Sequence, residues 1–201
     1  NGFLKQIQNN KENPKILGEF DPNYIRIKKT FKNIKRTFPK AKILICIRNP
    51  IERIYTMYKV LKYQATFDNL RYQAMFDNLK KFDGEFQTLL TNEGKLKKCF
   101  LSNNLKKWIN NFDCHVSLYD DLKEDSLSYI QNIFEFLEVK SDFIPPDYDK
   151  WESKPYNLHY KENPIQMTET EKESCKKLFM QDIQKTAKII NKITQNPPIF
   201  I

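Results

Sequence analysis

Residues 41–47 read Ala-Lys-Ile-Leu-Ile-Cys-Ile, five consecutive apolar side chains after Lys42 with three isoleucines among them. The run is too short to cross a membrane and has no polar face for a surface helix. It fits a strand covered on both sides, the usual state of a parallel strand inside an α/β sheet. Arg48-Asn49-Pro50 follows at once. Asn is a favoured N-cap, and Pro suits the first helical position, where no N–H is needed. Ile54, Met57, Tyr58 and Leu61 then fall on one stripe. The expectation is a buried strand, a tight turn and a capped helix, with Cys46 a buried small residue of the strand.

The flanking segments extend this pattern. Lys15–Phe20 is short and apolar and stops at Asp21-Pro22, so it reads as another buried strand. Asp21 or Asn23 is placed to cap the next helix, whose apolar face is Tyr24, Ile27, Phe31, Ile34 and Phe38. Its other positions hold Lys28, Lys29, Lys32, Lys35 and Arg36, either a solvated basic face or a docking surface; Pro39 ends it. Residues 96–112 carry Leu101, Leu105, Trp108, Ile109 and Phe112 at helical spacing, and His115–Tyr119 reads as a strand turning at Asp120-Asp121. Asp125 or Ser126 caps a helix with Leu127, Ile130, Phe134 and Leu137 inward. A loop follows from Pro145 to residue 165. Thr168 and Glu171 form a capping box for the last helix, with Cys175, Leu178, Phe179, Ile183, Ala187 and Ile190 inward. Tyr63–Leu70 recurs as Tyr72–Leu79 with one difference, a tandem duplication inside an insertion. Strands alternating with helices imply a parallel α/β sheet.

Composition narrows the function. A chain of 201 residues is one domain's worth, and 15 Phe with 10 Tyr exclude a disordered polymer. No stretch approaches the roughly 20 apolar residues of a transmembrane helix. No apolar run follows the first charge, Lys5, so no secretion signal is expected. Cys46, Cys99, Cys114 and Cys175 are scattered without a C-x-x-C pair, and His115 and His159 cannot complete a zinc signature. A reduced, metal-free chain is expected. The 34 Lys+Arg against 25 Asp+Glu give a net charge of +9. That excess is either background or a preference for an anionic partner such as a nucleotide, an acidic glycan, nucleic acid or a membrane face. Nucleic acid is disfavoured, because no recognised module or interleaved aromatic platform is present.

The chemistry-bearing feature is the strand end at Arg48. Ligands of open α/β sheets bind beyond the carboxyl ends of strands. There a guanidinium, the free N–H groups of a helix start and the helix dipole converge, which suits a phosphate. Arg53 and Thr56, three apart, share a face of the same helix. The alternative stays open: Arg48 pairs with a nearby carboxylate and Thr56 is incidental.

Residues 42–58 resemble the 3′-phosphate-binding motif of sulfotransferases that use 3′-phosphoadenosine 5′-phosphosulfate (PAPS): a hydrophobic strand, then R-[DN]-P-x-x-R-x-x-S-x-Y. The likeness is to the branch of heparan-sulfate-type and bacterial glycan sulfotransferases. Gly18–Ile25 is similar to that family's G-E-K-[ST]-P-x-Y-[LF]. Leu105–Phe112 with Tyr119–Leu122 resembles its helix-strand-"E-D-L" segment, and Phe134–Val139 its "F-L-G-V" helix end. The resemblance implies an α/β, P-loop-NTPase-like fold, a parallel sheet flanked by helices. It implies PAPS as donor without a metal, and PAPS or its product 3′-phosphoadenosine 5′-phosphate (PAP) and a carbohydrate or other hydroxyl acceptor as partners. Arg48 would bind the 3′-phosphate, Thr56 would replace the family's serine beside it, and Lys154 would contact the nucleotide from a covering loop. Arg53 would be structural, pairing with a carboxylate. The location would be the cytoplasm of a bacterium or the Golgi lumen of a eukaryote.

Two departures accompany the resemblance. No Lys-x-Gly-[ST]-[ST] phosphosulfate loop precedes Lys15, so the expectation is a single domain over 1–201, N-terminally incomplete, with an incomplete sheet and a helical insertion at about 62–95. Its catalytic residues stay unassigned. Phe20 stands where glycan-sulfating members carry Lys. The expected function is sulfuryl transfer to a hydroxyl; the alternative is a non-catalytic nucleotide- or glycan-binding module of the same fold.

Overall fold

A computed structural model describes residues 16–64, 85–97, 99–146, 148 and 166–192. Its elements in chain order are α1 (Lys28–Thr37), β1 (Lys42–Ile47), α2 (Pro50–Gln64), α3 (Phe86–Thr91), α4 (Glu93–Leu96), α5 (Ser102–Ile109), β2 (Asp113–Leu118), α6 (Tyr119–Glu124), α7 (Ser126–Phe136) and α8 (Glu169–Ile190). The two strands pair in parallel, with Lys42 opposite Asp113 and Ile47 opposite Leu118. Among the described residues this is an α/β fold, a two-stranded parallel sheet flanked by helices. No described helix is long and apolar enough to cross a membrane.

Two apolar clusters hold it together. The sheet cluster joins Ile45, Ile47 and Val116 to Leu105, Trp108 and Phe112 of the α5 segment and to Ile190 at the end of α8. Phe31 of α1 completes it, edge-on to Trp108 and Phe112 at 5.2 and 5.7 Å between ring centroids. The helical cluster gathers Ile54 and Tyr58 of α2, Phe86, Leu89 and Leu90 of α3, Leu96, Cys99, and Cys175, Phe179 and Ile183 of α8. The 22-residue α8 therefore serves both clusters. Its start is the expected capping box: Thr168 Oγ1 accepts from Glu171 N, and Glu171 Oε2 accepts from Thr168 N at 2.7 Å. Asp125 caps α7 as expected, accepting from Ser128 N at 3.0 Å. That bond and the Ser128 hydroxyl hold the Asp125 carboxyl below its ordinary value.

Several expectations fail, each where burial depends on distant partners. Residues 16–20 are irregular and exposed, not a buried strand, and Phe20 is 89% exposed. Asp21 and Asn23 cap nothing. Asp21 Oδ1 accepts from Asn23 N at 2.8 Å and closes a local turn, and the helix starts only after Ile27, which has no capping side chain. β1 is buried on one face: Ile45 and Ile47 are inside, whereas Leu44 is 46% exposed and Cys46 is exposed too. β2 begins at Asp113, and Tyr119-Asp120-Asp121 opens a short helix instead of a turn. No residue of α7 is fully buried; it lies against β2 and α6 and reaches Lys42 of β1 through the Phe136 ring at 5.0 Å. Tyr63 and Gln64 close α2, and the rest of the nine-residue duplication lies outside the described residues; α3 and α4 are the helices described within residues 85–97.

Candidate functional site

The junction after β1 folds as its sequence dictates. Asn49 Oδ1 accepts from Ile51 N at 2.9 Å, and Asn49 O accepts from Arg53 N at 2.9 Å, so Asn49 is the N-cap of α2. Arg48 is thereby held at the carboxyl rim of the sheet. Its Nε donates to Glu52 Oε2 at 3.3 Å, one turn along α2. Its guanidinium carbon lies 4.9 Å from the centroid of the Tyr119 ring. Tyr119 opens α6 directly after β2, so the parallel register that sets Ile47 opposite Leu118 also sets Arg48 beside Tyr119. The Arg48 side chain is 34% exposed, and among the described residues its two terminal nitrogens have no hydrogen-bond partner. A second cation stands on the same ring: Lys123 Nζ is 5.4 Å from the Tyr119 centroid and pairs with Asp120. The hydrogen bond to Asp120 and the nearby charge of Glu52 raise the Lys123 pKa.

A groove of about 1840 Å³ runs from this rim along β1. Residues 16–20, Ile25, Arg53, Leu101 and Trp108 line it, with Asp182 and Thr186 of α8. Of the residues singled out from sequence, Arg48 and Arg53 both line the groove. Thr56 is half-buried on α2 and does not line it. It sits about 9 Å along the helix axis from Pro50. Lys154 lies outside the described residues. Arg53 makes no ion pair among the described residues, against the expectation that it pairs with a carboxylate. Arg48 pairs with Glu52, as one of its two readings expects, and it also lines the groove.

Three neighbours of Arg48 escaped the sequence reading. Glu52 had a signal, the i,i+4 spacing from Arg48. Tyr119 and Lys123 had none, since only the strand register brings them to the same rim. Asp182 was also missed. It is buried on α8, and its carboxylate accepts from Leu101 N at 2.8 Å, Ser102 N at 3.1 Å and Ser102 Oγ at 2.5 Å. It thus caps α5, whose own N-cap residue, Leu101, has no side chain that can. Among the described residues no group of His, Cys, Asp and Glu is arranged to hold a metal ion.

These features define an α/β protein whose parallel strands end at a cationic rim. Its sequence matches the sulfotransferase family over residues 1–143, and the chain belongs to that family. The structure is similar to the crystal structure of a sulfotransferase from Alicyclobacillus acidocaldarius, with a TM-score of 0.59 and 18% identity. That similarity covers 84% of this chain and 62% of the other, so the chain spans less than two thirds of the length of its solved relative. No curated protein sequence matches it.

Proposed function

We propose that this chain binds PAPS at the Arg48 rim and serves sulfuryl transfer to a hydroxyl of a carbohydrate or small-molecule acceptor. The observation that carries this reading is Arg48 itself. It stands at the end of a parallel strand and at the start of the 15-residue α2, braced by Glu52 and Tyr119 with its terminal nitrogens available. A nucleotide phosphate there would meet two guanidinium donors, the first-turn N–H groups and the positive end of the helix dipole. Glu52 and Tyr119 prepay the cost of ordering a long side chain. Thr56 would reach only a phosphate extending along α2, and Lys154 would approach from the following loop.

The reaction so read is an in-line displacement. The acceptor oxygen bonds to sulfur as the bond from sulfur to the bridging phosphate oxygen breaks. A base takes the hydroxyl proton, and the phosphate leaves with its charge stabilised by cations. In this reading Arg48 and Lys123 supply positive charge at the nucleotide, and the base stays unassigned. Phe20, exposed where glycan-sulfating members carry Lys, favours the second reading, a nucleotide- or glycan-binding module without turnover. Calorimetric titration with PAP tests the site. Arg48→Ala is expected to weaken binding at least tenfold, because a charge-assisted contact is worth about 1.5–3 kcal/mol. A loss below threefold would remove Arg48 from the site. PAP binding without consumption of PAPS in the presence of sugar acceptors would select the second reading.

A further inference from the structure

The net charge of this chain is not spread evenly. Helix α1 carries Lys28, Lys29, Lys32, Lys35 and Arg36, α5 carries Lys106 and Lys107, and neither has an acidic residue. These seven cations nearly account for the net charge of +9. The fold brings Lys28, Lys32 and Lys35 of α1 beside Lys107 of α5. Phe31 of α1 packs against Trp108 and Phe112, and Lys107 Nζ lies 3.7 Å from the centroid of the Phe31 ring. Lys35 crosses the other way, donating to Asn111 O at 2.5 Å and lying over Phe112 at 4.9 Å. Burial, with the charges of Lys28 and Lys32, lowers the Lys107 pKa, so the two helices share one field. Among the described residues none of the seven makes an ion pair. Like charges held together without counter-charge repel one another, and a polyanion relieves that repulsion while releasing its own counterions.

The starts of both helices meet at a second cavity of about 640 Å³. Ile27, the N-cap of α1, lines it, together with Asn103 and Asn104 from the first turn of α5, Arg26, Lys97 and Phe100. The amides, Arg26 and the aromatic edge suit sugar hydroxyls, and acidic substituents belong on the lysine face, since Lys97 pairs with Glu93 and two carboxylates line the cavity. Asp21 and Asp182 line both this cavity and the groove that reaches Arg48. Of the aromatic rings between the two helices, Phe31 lies under Lys107 and Phe112 under Lys35, so neither offers bases a bare stacking face.

We infer that the α1–α5 face and its adjoining cavity seat an acidic glycan chain, carrying sulfate or carboxylate groups, and lead it toward the groove. The choice of glycan rests on the sulfotransferase reading; the existence of the seat rests on the charge arrangement alone.

The test uses size-defined heparin oligosaccharides as probe and duplex DNA of matched charge as comparison. Lys28→Glu/Lys32→Glu/Lys107→Glu is expected to weaken heparin binding at least tenfold and to flatten its salt dependence. The equally charged control Lys176→Glu/Lys177→Glu/Lys185→Glu, on exposed positions of α8, is expected to weaken it less than threefold. Because Lys107 is half-buried, Lys28→Gln/Lys32→Gln/Lys107→Gln is measured alongside, with circular dichroism confirming the fold; it should fall between wild type and the reversal. Equal losses in reversal and control overturn the assignment to this face. Tighter binding of DNA than of heparin overturns the glycan. PAP titration of the same proteins separates the two ideas. Face-dependent heparin binding without PAP binding keeps the seat and sinks the nucleotide site; PAP binding without it does the reverse.

Discussion

The two faces of the sheet are built from the same strands and have opposite fates. On one, Ile45, Ile47 and Val116 are buried beneath α1, α5 and the end of α8. On the other, Ser117 and His115 of β2 meet Tyr129 and Phe136 of α7, while Leu44 of β1 is 46% exposed. The difference teaches that burial here comes from helix placement more than from side-chain type. Leu44 is as apolar as its neighbours and is left uncovered, although Lys42 on the same face of β1 meets Phe136 of α7.

Truncation should expose this contrast most strongly. Leu105→Ala removes a side chain that is fully buried under the inner face, and about 2–5 kcal/mol of stability should go with it. Leu44→Ala on the outer face should cost less than about 1 kcal/mol. Urea unfolding midpoints of the pair check this, and equal losses would mean that the outer face is covered in solution. Next in size is Asp182→Ala. It strips the cap from α5 and leaves two backbone N–H groups and the Ser102 hydroxyl unpaired, at about 1–3 kcal/mol. Asp182→Asn, which keeps one acceptor oxygen, should recover part of the loss.

Both faces carry an alkaline pH signature, since burial also pushes the inner face's Cys114 thiol up to about 11. Burial, with the neighbouring Cys46 thiol, pushes the Tyr129 phenol up to about 12 from its ordinary 10. Between those values the folded chain holds a proton that the unfolded chain releases, so stability falls as pH rises through that window. Tyr129→Phe should flatten this fall relative to wild type, although it also loses the 2.8 Å bond to Ser117. Identical slopes from pH 10 to 12 would contradict the burial of this phenol. The smallest effect is expected at Glu138. This residue closes α7 with φ at 59°, a left-handed position usually given to Gly, and Val139 N and Glu138 N donate back to Phe134 O and Glu135 O. Its carboxylate takes Lys42 Nζ at 2.5 Å. Glu138→Gly trades roughly 1 kcal/mol of backbone strain against a surface ion pair worth less than about 1 kcal/mol. Thermal unfolding should therefore shift by only a degree or two.

What could be read in advance was local. The Asn49, Asp125 and Thr168 caps, the inner stripe of α8 and the place of Arg48 at a strand end each depend on residues within a few positions of one another. What could not be read depends on pairing across the chain. The one-sided burial of β1, the exposure of Cys46 and the meeting of Arg48 with Tyr119 follow from which helix lies over which strand. Asp182 makes the point sharply: nothing near it in sequence needs a carboxylate, and the helix that does begins 80 positions earlier. The basic residues of α1 were visible from the start. That Lys107 stands among them was not, because only the packing of Phe31 brings α5 alongside.

The double duty of α8 has a consequence for how the chain is made. Ile190, which closes the sheet cluster, and Asp182, which secures α5, are translated long after Leu118 completes the strand pair. At roughly 5–20 residues per second, the ribosome leaves the paired strands without that cover for several seconds. In that interval the part of the sheet cluster that Ile190 covers is available to chaperones and to other nascent chains, and arrival of α8 is the event that ends the exposure.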